Sequence, residues 1–186
     1  MWIRGIGALV TLIGSTLWAD ETGGQIERSA TVCMLGGHPL VMEYARNLVS
    51  KTFAAIDVKI DWRWRKCPAD AIRITLQART PLHQRPGALA YAMPYEGKQI
   101  VIFYDRVLEE VDAGRVPALM GHVIAHEIAH VLEGVKRHSA TGIMKEHWNA
   151  DDYLEMAWKP LPFAPEDIIL IHHGLESRPA QAAKAP

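Results

Sequence analysis

The sequence predicts one mixed α/β (α+β) domain, and three observations carry that expectation. Segments with the two-residue alternation of strands are interleaved with segments of helical period, the run 100–104 is apolar throughout, and one long helix is apolar on nearly every side. A chain of 186 residues is long enough for one domain with a sizeable core. With 49% hydrophobic residues, 22% charged residues and a formal net charge of −1, it offers no basic surface, so nucleic acid is not an expected partner.

Residues 1–4 make a short positive start, 6–18 form an apolar run, and Ala19 closes a small-residue cleavage site. This pattern reads as a secretory signal peptide over 1–19. An uncleaved anchor is the alternative, but the run falls short of the roughly 20 residues that a membrane span needs, so stable membrane association is not expected. The mature chain would be secreted or periplasmic. Its two cysteines, Cys33 and Cys67, would form one disulfide in an oxidising compartment or stand as two separate buried thiols. Residues 20–30 read as a short N-terminal segment, 31–176 as the domain, and the Ala- and Pro-rich 177–186 as a disordered tail.

Within the domain, 31–35 is a short apolar strand ended by Gly36-Gly37. Pro39 suits the first position of a helix, and Val41, Ala45, Leu48, Val49 and Phe53 recur at helical spacing. Val58, Ile60, Trp62 and Trp64 alternate with charged residues, as do Ile72, Ile74 and Leu76 with polar ones. Both tryptophans would share one face and bury against a helix. Residues 80–87 form a Pro- and Gly-containing loop, 88–93 a short strand, and 100–104 a central strand. Asp105 is placed to cap a short helix ending at Gly114. The long apolar helix starts near Pro117, and a last helix runs from Pro165 to about Leu175.

That long helix carries His126, Glu127 and His130. Histidines at i and i+4 share one helix face and can share one Zn²⁺. Glu127 lies about 100° round the helix, too far to be a ligand but able to reach a water on the metal. A catalytic zinc takes three protein ligands and keeps one position open. Gly134 can stop the helix in a left-handed turn, and His138, four residues later, can return as the third ligand. Met144, six residues further in a Gly-containing turn, could place a thioether beneath the imidazoles.

These residues resemble the metzincin clan of zinc metalloproteases, which joins H-E-x-x-H-x-x-G-x-x-H to a methionine turn. His126, Glu127, His130 and Met144 match directly, while Gly134 and His138 match with one residue added before the glycine and one after it. Glu133 and Lys136 occupy the positions where the clan has its glycine and third histidine. A second stretch, 87–94 followed by 100–105, is similar to the edge strand and next strand of the matrixin branch. The resemblance implies a metzincin-like mixed twisted sheet whose antiparallel edge strand pairs with an extended peptide substrate above a buried active-site helix. Tyr91 stands where that branch has a histidine, so no second metal is expected.

The function implied is zinc-dependent endopeptidase, with His126, His130 and His138 as ligands, Glu127 as general base and a peptide or protein as substrate of a monomer. Other readings stay open. His147 is a reserve ligand; Glu155, or Asp151 and Asp152, could supply a carboxylate ligand as gluzincins and aspzincins require. A non-catalytic secreted binding protein could instead hold a closed structural zinc. His122, one turn before His126, reads as a buried hydrogen-bonded histidine and Trp148 as packing beside the site. Lys145 occupies the place where some metzincins carry a catalytic tyrosine, and Tyr153 is the nearest later one. His38, His83, His172 and His173 read as surface or loop residues.

Overall fold

The alternation of apolar and polar residues builds a sheet with one wet face. A computed structural model of the chain describes residues 28–93 and 98–182, with side chains described as far as 177. The expected signal peptide, residues 20–27 and the last four positions lie outside the described residues. The elements are β1 (Arg28–Leu35), α1 (Pro39–Ala54), β2 (Val58–Trp64), β3 (Ile72–Gln77), β4 (Ala90–Ala92), β5 (Gln99–Phe103), α2 (Tyr104–Glu110), α3 (Val116–Glu133), α4 (Ala150–Met156) and α5 (Pro165–Ala182). The fold is mixed α/β, as the sequence implies. Sheet order is β2-β1-β3-β5-β4, with β4 antiparallel to β5 at one edge and the other neighbours parallel.

One face of the sheet is dry. Val32, Met34, Ile60, Ile72, Ile74, Ile100 and Ile102 are buried there, joined in one core with Ala45, Val49 and Phe53 of α1 and with the apolar residues of α3. The opposite face carries Ser29, Lys59, Arg63, Thr75 and Gln99, all exposed. Parallel strands are usually covered on both faces. Here the two-residue alternation in β1, β2 and β3 is the mark of a sheet covered on one. Cys33 points to the open side yet is fully buried, and it is disulfide-bonded to Cys67 across 34 positions. Closing a loop of that length stabilises by about 3–4 kcal/mol on the chain-entropy model.

Several local expectations need correction. The apolar run ending in Phe103 is an interior strand, but β3 is the central one. Asp105 lies inside the first turn of α2 rather than before it, and its carboxylate accepts from the Thr80 amide and hydroxyl, both at 2.7 Å. Trp62 is half-buried under α1, donating to Ser50 at 2.9 Å, whereas Trp64 is 41% exposed at the end of edge strand β2. Strand β1 starts three residues before residue 31, and α5 runs on past Leu175 to Ala182. His172 also differs from a plain surface residue: its Nε2 lies 2.7 Å from the Ile56 carbonyl.

Helix α3 is buried from Val116 to Glu133 apart from its proline, packed between α1 and α5. Gly134 ends it with φ 69°, the left-handed cap that glycine adopts without steric cost. The α3–α5 crossing closes at Gly174, where an added Cβ would lie 1.7 Å from the Leu132 carbonyl oxygen. Alanine at 174 would by itself favour the helix by about 1 kcal/mol. Contact with rigid backbone outweighs that gain, so Gly174→Ala should destabilise by about 1–3 kcal/mol. A thermal melt checks the sign, and an unchanged or raised Tm would refute this account of the crossing.

Candidate metal centre

The helical period brings His126 and His130 onto one face of α3, with their Nε2 atoms 3.0 Å apart. The turn after Gly134 returns His138, whose Nε2 is 3.3 Å from that of His130. All three ligand-competent nitrogens lie within 4.8 Å of one another, the metal-capable cluster found among the described residues. His126 and His130 are buried, while His138 is exposed, so the cluster opens to solvent on the side of the turn.

Backbone carbonyls fix the tautomers. Nδ1 of His126 lies 2.8 Å from the Ile143 carbonyl oxygen, and Nδ1 of His130 lies 3.3 Å from that of Val135. A carbonyl only accepts, so each Nδ1 carries the proton and each Nε2 presents a lone pair. Burial, then the neighbouring imidazoles and cations, hold His126 near a pKa of about 3 and His130 near about 4. His138, though exposed, is lowered as well, chiefly by partial desolvation from the groups around it. Two neutral imidazoles thus aim lone pairs at each other across 3.0 Å with no proton between them. That contact is repulsive unless a cation occupies the convergence point. Nitrogens bound at about 2.0–2.1 Å to a tetrahedral Zn²⁺ stand about 3.3–3.4 Å apart, so the donor set fits that ion by type and spacing.

Glu127 is 8% exposed, and burial pushes its carboxyl up to about 8. A divalent cation on the adjacent histidines would oppose that shift. Met144 is fully buried, and its carbonyl accepts from the Ser139 amide at 2.8 Å, closing the turn whose Ile143 carbonyl holds His126. Trp148 packs edge-on to His126 with ring centroids 5.7 Å apart, and its indole nitrogen is buried without a hydrogen-bond partner.

The remaining candidates stand apart from this cluster. His122 is wholly buried and satisfied: its Nδ1 lies 2.8 Å from the Ala118 carbonyl, and its Nε2 accepts from the Leu161 amide at 3.1 Å. His147 is exposed and close enough to lower His138 electrostatically, but it is not one of the clustered donors. Asp151 and Asp152 lie in the first turn of α4, where Asp152 caps with Asn149 and pairs with Lys145. Glu155 pairs with Lys159 at 3.2 Å, and the Tyr153 hydroxyl donates to Glu110 at 2.7 Å.

Several contacts near the site have no counterpart in the sequence reading. Arg137 and Ser139, on either side of His138, both bond to the wholly buried Asp167 of α5. Glu133, in the last turn of α3, is buried with both carboxyl oxygens unbonded, 3.8 Å from the Arg137 guanidinium. Sequence spacing carried no signal for them, because Asp167 lies about thirty positions from the turn it meets.

No protein-family model and no curated protein matches the chain. Among solved structures it is similar to archaemetzincin from Methanopyrus kandleri, at 16% identity and a TM-score of 0.48, covering 81% of this chain and 96% of that one. It is also similar to myroilysin, at 15% identity and a TM-score of 0.39, covering 76% of this chain and 65% of that one. Likenesses of this strength say nothing about activity.

Burial, with the Asp167 carboxylate adding to it, raises the Glu133 pKa from 4.5 to about 8, against the opposing Arg137. The fold therefore holds a proton that the unfolded chain releases between pH 4.5 and 8, and this group's contribution to stability falls as pH rises through that window. Glu133→Gln removes the titration and keeps the shape. In metal-free protein, the variant's Tm should gain on wild type between pH 5 and pH 8 by at least about 2–4 °C, the equivalent of roughly 1 kcal/mol. A gap independent of pH would mean that Glu133 is ionised in the fold throughout.

Proposed function

We propose that the chain is a secreted zinc-dependent endopeptidase, in which His126, His130 and His138 hold the metal and Glu127 is the general base. The observation that supports the reading is the convergence of three imidazole nitrogens, one of them on an exposed residue, next in sequence to a buried carboxyl. A bound zinc would lower the pKa of a water toward 7 and polarise the scissile carbonyl. Glu127 takes the proton of the attacking water and passes it to the leaving amine. Its place on a fully buried helix keeps the carboxyl where α3 sets it.

The edge strand supports a peptide as substrate. β4 pairs with β5 on one side only and packs against α3, so its free backbone groups border the helix that carries the site. An extended peptide adding to that edge would be gripped through its main chain. The formed Cys33–Cys67 disulfide supports an oxidising compartment, and no described helix is long and apolar enough to cross a membrane. Met144 is read as the floor of the site, held in the turn that also holds His126.

A closed structural zinc would need a fourth protein ligand, and the donor cluster among the described residues holds three histidines. Wild-type protein should contain one zinc per chain and be inhibited by a hydroxamate, which binds an open zinc. Glu127→Gln should keep the zinc and lower peptide hydrolysis by about 10²–10⁴-fold. Hydrolysis at the wild-type rate would remove Glu127 from the mechanism, and wild-type protein without zinc would end the peptidase reading altogether.

A further inference from the structure

The third ligand sits on a loop, and loops do not by themselves hold a side chain to the tolerance a metal demands. Residues 134–143 contain no regular secondary structure among them, and His138 itself is exposed. Its two neighbours are not free. The Arg137 guanidinium and the Ser139 hydroxyl both donate to Oδ1 of Asp167, each at 2.5 Å. Arg137 also donates to Ser139 Oγ at 3.1 Å. The other oxygen of Asp167 accepts from the Ala164 amide at 2.9 Å, which ties the carboxylate to the start of α5. Helix α5 in turn packs backbone to backbone on α3 at Gly174.

A rigid chain of contacts therefore runs from the helix bearing His126 and His130, through α5, to the residues on both sides of His138. We propose that Asp167 is the positioning residue for the third metal ligand: one buried carboxylate grips both flanks of His138 and sets its imidazole against the other two. The proposal rests on the reading of the three histidines as a metal site. Its physical basis is that a buried, ionic arrangement is a poor source of stability in itself, since well-packed apolar residues of similar volume do as well or better. Its directional bonds do what apolar contacts cannot, fixing two points of the loop in space. Residues 134–143 form no helix or strand, so their backbone has many conformations to exclude. Groups that orient metal ligands typically cost 10–100-fold in metal affinity when removed.

A double-mutant cycle on zinc affinity separates positioning from general stability. Wild type, Asp167→Asn, His138→Ala and the double variant would be titrated with zinc against a competing chelator, with far-UV circular dichroism and the Tm of each metal-free protein measured alongside. Asp167→Asn should weaken zinc binding by about 10–100-fold when His138 is present and leave it nearly unchanged when His138 is absent. Equal losses in both backgrounds, or no loss in either, would overturn the proposal while leaving the metal site standing. Wild type that binds no zinc would overturn both. If Asp167→Asn does not fold, Ser139→Ala replaces it in the same cycle, with the same direction expected and the same additive result decisive against it.

Discussion

The constraint on which the site depends is that imidazole lone pairs converge with no proton to share. Carbonyls of Ile143 and Val135 take the Nδ1 protons of His126 and His130, leaving both Nε2 atoms as acceptors 3.0 Å apart. Neither can escape by becoming protonated, because burial holds both well below the usual histidine range. A cation at the point where they meet would relieve that repulsion. His138 completes three donors and, being exposed, leaves a side open for a fourth. Three donors with an exposed side are the arrangement that the proposed reactive metal would need.

The fold arranges itself around the cost of burying this helix. α3 carries three histidines and two glutamates along its buried length, and each must be accommodated. His122 does so with two backbone bonds, and His126 and His130 with one carbonyl each. Glu127 and Glu133 accept a raised pKa instead. Such polarity is affordable in a helix only where the surrounding apolar core is large. The sheet supplies that core mainly from one face, its other face being polar over much of β1, β2 and β3. The disulfide covers the open side at Cys33.

What could be read in the sequence was whatever depends on local period. His126 and His130 share a face because a helix turns every 3.6 residues, and Gly134 ends that helix because glycine tolerates a positive φ. The strand alternation fixed which face of β1, β2 and β3 is dry, but not the order of strands, so β3 rather than β5 became the centre. Trp64 follows the strand pattern, yet it lies at the end of an edge strand and remains exposed. Asp105 has the chemistry of a helix cap and is occupied by Thr80, twenty-five positions earlier in the chain. In each case a long-range partner, invisible to spacing, overrode or completed a local signal. The same holds for His138: the glycine indicated a turn, but the path of that turn depends on Asp167.

This dependence follows from what an open metal site requires. The two proposed ligands on buried α3 are already immobilised by the core. The proposed third ligand, His138, comes from beyond the helix and stands at the surface. Exposure deprives His138 of the packing that holds its partners. In this chain the side chains on either side are tied down instead. Asp167 is buried, bonds to Arg137 and Ser139, and makes no bond to His138 itself among the described contacts. Rigidity is thus delivered one residue away from where it is needed, which reconciles an ordered ligand with an accessible site.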